Sequence, residues 1–238
     1  MQLDLLQTPI GYRPPEDIRI LVGCEKSGTA RRRFQKLGFD VFSCDLQQSD
    51  DRSNRHYTDD VRNVLAMESW DFLYIAHPPC TRTCLSGVRW LTGPNPPKGK
   101  TFDDMWRELE EGCELFSDCW TADVPHIAIE NPQIHRYAVE RIRNYVPPAQ
   151  TIHPYYYGCP FFKKTSWWLK NLPCIKDTNR LTPPKPGTEE HKAWSMIHRT
   201  PPSPERSNIR SKTFPGHADA FTTQWGQYIC NYAIEPQR

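Results

Sequence analysis

Ile18-Arg19-Ile20-Leu21-Val22 is followed by Gly23-Cys24-Glu25-Lys26-Ser27-Gly28, then by Thr29-Ala30-Arg31-Arg32-Arg33-Phe34-Gln35-Lys36-Leu37, by Gly38, and by Phe39-Asp40-Val41-Phe42-Ser43-Cys44-Asp45. The first run, mostly apolar and with β-branched members, reads as a buried strand. The small residues after it read as a turn. Thr29 to Leu37 reads as a helix closed by Gly38, and Phe39 to Cys44 as a second strand with Asp45 at its tip. A βαβ unit of this kind predicts a mostly parallel sheet covered by helices. Gly23 and Gly28, with Glu25 and Ser27 between them, let a ligand approach the backbone at a helix N-terminus, and Asp45 can hold ribose hydroxyls. The same pattern also describes a purely structural turn with an exposed aspartate.

Two further apolar runs lie downstream. Phe72-Leu73-Tyr74-Ile75-Ala76 precedes His77-Pro78-Pro79-Cys80-Thr81, and Ile127-Ala128-Ile129 precedes Glu130-Asn131-Pro132. Each reads as a core strand stopped by proline. A thiol and a carboxylate are therefore expected at the carboxyl ends of two strands, where open α/β sheets bind ligands. Together they suggest covalent chemistry. C5 of cytosine is a poor nucleophile, but thiolate addition at C6 makes an enamine whose C5 attacks an electrophile. An acid beside N3 eases the addition. Pro78 and Pro79 remove two backbone donors and hold Cys80 on a stiff bend.

These tracts resemble those of the small, phage-like cytosine-C5 DNA methyltransferases, which carry Pro-Pro-Cys with the nucleophile and Glu-Asn-Val with the acid. The resemblance implies a Rossmann-like, doubly wound sheet with helices on both faces, and S-adenosylmethionine as cofactor. It implies Cys80, Glu130, Asn131 and Pro79 as catalytic. It assigns Gly23, Glu25, Ser27, Gly28, Asp45, Asp60 and Pro78 to the cofactor. Tyr157-Gly158-Cys159-Pro160 followed by Lys163 and Lys164 resembles the family's Gly-Val-Pro-Gln-x-Arg-x-Arg, with Lys163 at the first Arg position, Thr165 at the second and Phe161 in place of Gln. DNA contacts are then expected from Lys163, Lys164 and Thr165. Arg82, Arg89 and Trp90 join them, in the long Gly/Pro-rich stretch 81–104 where the family has a mobile loop over the target base. The first loop departs from the family's Phe-x-Gly-x-Gly-Gly.

Length and composition bound the reading. The chain has 238 residues, a net charge of +2 and 37% hydrophobic residues. One domain is expected, with no polyanion-binding charge overall, so contacts to single- or double-stranded DNA must come from local patches. No run approaches 18 apolar residues, so no membrane span is expected. The amino terminus lacks a leader-like pattern. Nine cysteines, an odd number, fit reduced thiols in a cytosol, and the phage-like resemblance implies that of a bacterial or infected host cell. The spacing of Cys80 and Cys84 is not that of a zinc site, and no metal is expected.

The expected organisation is an N-terminal arm (1–16), a methyltransferase core (17–173), a reduced Pro-rich basic recognition segment (174–215) and a C-terminal helix packing back on the core (216–238). Met105, Leu109, Cys113, Phe116 and Trp120 have helical spacing and read as core. In 174–215, Lys192, Arg199, Arg206 and Arg210 with Trp194 interleaved suggest a small nucleic-acid arm, and a plain connection reads as well. The full recognition domain of the family is absent. That leaves open the same chemistry on a free pyrimidine nucleotide or RNA, and a nucleic-acid-binding protein on the same scaffold without turnover. An amino-methyltransferase is disfavoured, because it would carry Asp/Asn-Pro-Pro-Tyr/Phe where this chain has His77 and Cys80. Oligomeric state and target sequence are not legible.

Overall fold

The computed structural model describes residues 11–201 and 213–231. Arg206, Arg210, most of the expected N-terminal arm and the end of the expected last helix lie outside the described residues.

The chain has a Rossmann-like, doubly wound fold. Its strands are β1 (Arg19–Gly23), β2 (Asp40–Asp45), β3 (His56–Thr58), β4 (Phe72–Ile75), β5 (His126–Asn131), β6 (Gln150–Ile152) and β7 (Thr165–Lys170). They form one seven-stranded sheet in the order β3-β2-β1-β4-β5-β7-β6. The pairs among β1 to β5 are parallel, and β7 runs antiparallel between β5 and β6. The order reverses between β1 and β4, so the crevice of a doubly wound sheet opens beyond their carboxyl ends.

The helices are α1 (Thr29–Lys36), α2 (Val61–Met67), α3 (Arg89–Thr92), α4 (Phe102–Trp120), α5 (Arg136–Val139), α6 (Glu189–Trp194), α7 (Met196–Arg199) and α8 (Pro215–Asn231). Strand alternation divides the core into two layers. Ile20, Val22, Phe72 and Tyr74 face α1 and α8, where Phe34, Phe221 and Trp225 meet them. Leu21, Leu73, Ile75 and Ile129 face α2 and α4. Helix α4 begins at Phe102, before the expected Met105. Thr101 caps it in a reciprocal box with Asp104, which satisfies donors of the first turn.

Two sequence expectations change here. The stretch 81–104 is not one irregular loop, because Leu85 N–H donates to Gln133 O (3.0 Å), His135 N–H to Thr83 O (3.1 Å), and 89–92 form α3. The part of 174–215 that is described folds onto the core. Ile175 is buried among the α8 layer, and Trp194 packs against Tyr155 and Phe162. A ring only 6% exposed is no stacking platform for a base, which removes the reason for reading Trp194 as part of a nucleic-acid arm.

Candidate active site

The site forms where β1, β4 and β5 end. β4 delivers Ala76, His77, Pro78, Pro79 and Cys80 in succession. Pro78 is buried, Pro79 exposed and Cys80 half-buried. The loop that carries the thiol is then pulled down on α4. A Cβ on Gly112 would lie 3.0 Å from Thr83 Cγ2 and 3.2 Å from the Pro79 carbonyl. Gly112 was not singled out from the sequence, although an isolated glycine inside a helix is the signal of a close approach. Across the site, Leu85 and Thr83 bond to the segment that follows Glu130-Asn131-Pro132, with Cys84 bridged to Ile134. The loop carrying Cys80 and the loop carrying Glu130 are thus stitched together by backbone, and adjacent parallel strands β4 and β5 support both.

Glu130 is 5% exposed. Its Oε1 lies 3.5 Å from Lys163 Nζ, and Tyr74 OH donates to Oε2 at 3.4 Å. Burial raises its pKa, while Lys163 and the Tyr74 hydroxyl oppose the rise. A carboxyl whose pKa is raised keeps its proton to higher pH than an exposed one, which suits it to donate a proton. Lys163 arrives because β7 is antiparallel, so the residues before Thr165 meet the carboxyl end of β5. Lys163 therefore pairs with the acid. Lys164 lies elsewhere, exposed beside Gln133, Thr151 and Ser166. Thr165 is buried.

The start of α8 closes this pocket from the other side. His77 Nε2 is 3.1 Å from Thr213 Oγ1. The Lys163 ammonium lies 5.9 Å from the centroid of the Phe214 ring, which in turn packs on Phe161. Burial lowers the pKa values of His77 and His217 to about 3, helped by the nearby Lys163 charge, so both stay neutral. Tyr74, Thr213, Phe214 and His217 were not selected from the sequence. Only Tyr74, a hydroxyl inside an otherwise apolar run, gave a local signal there.

On the β1–β2 side, Gly23 is packed between Ile75 and Val61, so a Cβ there would meet both at 2.7 Å. Glu25 is fully buried and accepts from the N–H groups of Ala30 (2.7 Å) and Arg31 (3.3 Å). Its carboxylate thus caps α1 and faces inward. Ser27 Oγ donates to Thr29 Oγ1 at 2.9 Å, and Gly28 stands at the N-cap of α1 with φ 64°. Asp45 accepts from Gln47 N–H at 2.9 Å and has no ion-pair partner among the described residues. Next to it Leu46 is 76% exposed. Asp60 caps α2 through Arg62 N–H and holds the Arg62 guanidinium at 2.6 Å. Hydrogen bonds from Arg62 pull its pKa down.

Arg82 is turned to α4, where Glu108 holds its Nε at 2.7 Å. Arg89 is exposed on α3, with its guanidinium over the Trp90 ring. No cluster of three metal-binding side chains occurs among the described residues, and no described helix is long and apolar enough to cross a membrane.

No family model matches the chain, and no curated protein matches it. Among solved structures it is similar to a candidate DNA modification methyltransferase encoded within an E. coli prophage, at 13% identity and a TM-score of 0.41, over 64% of this chain and 46% of that one. It is also similar to a triple mutant of Spodoptera frugiperda DNMT2, at 13% identity and a TM-score of 0.36, over 71% of this chain and 56% of the other. The chain thus spans about half the length of these structures. Likeness this slight carries no argument about activity, and the fold stands on the strand order above.

Proposed function

We propose that this chain methylates C5 of cytosine in DNA, with S-adenosylmethionine as methyl donor. The observation that supports this is Cys80, on a proline-stiffened strand end, beside a neighbouring strand that ends in a buried Glu130 whose pKa burial raises. The chemistry needs that pair. The Cys80 sulfur forms a bond to C6, and Glu130 donates a proton or a strong hydrogen bond to N3. The electron pair displaced from the C5–C6 double bond becomes available at C5. In a duplex the base must first leave the stack.

The crevice suits the cofactor. Asp45 offers a carboxylate with no ion pair among the described residues, which supports a role in holding ribose hydroxyls, and Leu46 beside it offers an exposed apolar surface. Asn131 Oδ1 is a buried acceptor with no hydrogen-bond partner among the described residues, which a bound donor would satisfy. When bound, S-adenosylmethionine supplies an electrophilic methyl group. Cys80 and Glu130 prepare the base, and the Arg62-bound carboxylate of Asp60 holds the start of α2 in place beneath the crevice.

The test is intact mass spectrometry after incubation with cofactor and DNA containing 5-fluorocytosine, in which fluorine at C5 blocks the final elimination. A covalent adduct on Cys80 is expected. No adduct under conditions where the protein is folded overturns the reading. The packing of Ile175 and Trp194 on the core leaves no protruding recognition domain among the described residues, which favours a second substrate for the same chemistry. An adduct with a fluorinated pyrimidine nucleotide or RNA, and none with DNA, would select it.

A further inference from the structure

Two phenyl rings beside the acid's pocket belong to neither layer of the core. Phe161 and Phe214 stand outside both sets of side chains that build or pack on the sheet. Both are half-buried, so part of each ring is open to solvent. Their centroids are 4.9 Å apart and their planes differ by 34°. Phe162, next along the chain from Phe161, turns away to pack on Tyr155 and Trp194. Helix α8 is docked on the sheet by Phe221 and Trp225, so the half-open pair is not what fastens it.

The pair is braced by its surroundings. A Cβ on Gly216 would run into the Tyr157 carbonyl, so the first turn of α8 lies directly on the segment that leads to Phe161. His217 stacks on Tyr157, with centroids 5.1 Å apart and planes at 23°. Phe161 N–H donates to Cys159 O at 2.7 Å, and His77 reaches Thr213, the neighbour of Phe214. Lys163 links the rings to the acid. Its ammonium lies 3.5 Å from Glu130 Oε1 and 5.9 Å from the Phe214 centroid, within the range of a cation–π contact. A pyrimidine presents hydrogen-bonding atoms at its edge and a π surface on its face. A buried carboxyl can meet the edge, and an aromatic ring can meet the face.

We propose that Phe214 and Phe161 form the wall on which the face of the target pyrimidine lies while Glu130 meets its N3, an assignment that rests on the methyl-transfer reading above for the place of the base. The start of α8 is then part of the substrate site. The rings make and break no bond. They bind the base and fix its plane about the hydrogen bond to Glu130. Stacking is indifferent to the sugar, so one wall serves cytosine in DNA, in RNA or in a free nucleotide.

The test is binding to the full chain, without cofactor, of a single-stranded oligonucleotide with one cytosine among adenines, and of the same strand with an abasic site in its place. Fluorescence polarisation reads both. The two strands carry the same phosphates, so the ratio of their affinities reports the base. Cytidine monophosphate against ribose 5-phosphate makes the same comparison for a free nucleotide, by calorimetry. In wild type the form with the base binds about 10–100-fold more tightly in at least one comparison. In Phe214→Ala that ratio falls toward one, while binding of the form without the base is unchanged. Phe214→Tyr restores the ratio, and Phe214→Leu, apolar but without a π face, does not. Circular dichroism checks folding. If Phe214→Ala does not fold, Phe161→Ala carries the test. A ratio near one for wild type in both comparisons, or a ratio equal in wild type and the folded variants, overturns the proposal. Binding needs no methyl transfer, so the two readings fail separately. A base preference that is lost with the ring, without a fluorocytosine adduct in wild type, would sink the methyl-transfer reading and leave the wall standing. An adduct in wild type with a base preference that ignores the rings would do the reverse.

Discussion

The two halves of the sheet's carboxyl edge are built on opposite principles. Around β1 and β2 the acids stay near water. Asp45 and Asp60 are half-exposed, one open to solvent and one paired with Arg62. Around β4, β5 and β7 the acid is buried and bonded to its neighbours, Glu130 to Lys163 and Tyr74. A carboxylate that only holds hydroxyls works best in its charged form, which water and arginine preserve. A group that must move a proton near neutral pH needs its pKa shifted, and burial with a chosen partner is how a fold does that. On the proposed reading, the first half binds the cofactor and the second moves the proton.

The sharpest way to break the contrast is Cys80→Ser. A serine hydroxyl is far less nucleophilic than a thiolate, so methylation should fall by at least about three orders of magnitude, over about 4 kcal/mol of barrier. Calorimetric cofactor binding should be unchanged. A tenth of the activity retained would remove Cys80 from the mechanism.

Glu130→Gln keeps shape and hydrogen bonding but delivers no proton, and should cost about 10²–10⁴ in turnover. The pH profile sharpens this. Because burial raises the Glu130 pKa, the protonated form persists to higher pH than in an exposed glutamate. kcat/KM should fall as pH rises through that value. Lys163→Met removes the cation that opposes the rise and should move the alkaline limb to still higher pH. A limb that stays in place, with binding simply less salt-sensitive, would mean that Lys163 contacts phosphate.

In the other half, Asp45→Ala should weaken cofactor affinity about 10–100-fold, the loss of one or two charge-assisted hydrogen bonds. Titration calorimetry reads it, and equal affinity in the variant would put the ribose elsewhere.

The smallest effect concerns the wall of the first half. Arg31 is 2% exposed and is held by Asp51 at 2.7 and 2.6 Å. Partial burial would raise the Asp51 pKa, but bonds from Arg32 and Arg31 bring it to about 2. A lowered folded-state pKa contributes stability above the ordinary value of 3.8 that is lost as pH falls toward about 2. Asp51→Asn should cost about 1–3 kcal/mol at neutral pH, and the difference from wild type should shrink in acid. Thermal unfolding at several pH values checks the sign.

Much of the architecture was legible because it is written in local pattern. The apolar runs of β1, β4 and β5 and the periodicity of α4 each lie within one element, and proline or glycine marks where most of them stop. So the sequence by itself determined that a thiol and a carboxylate stand at strand ends in a doubly wound sheet, and that an acid stands at the tip of β2. What it could not determine is which partners meet those groups. Lys163 reaches Glu130 because β7 runs antiparallel, a matter of pairing across the sheet. His77 meets Thr213 across a sequence separation of 136 residues. Glu25 turns from ligand candidate to helix cap, and Trp194 from exposed ring to buried one, through packing. Burial and partner set a group's charge and proton affinity, and both come from contacts between segments distant along the chain. That is why only the tertiary structure decided which of these groups stay near water and which are buried against a partner.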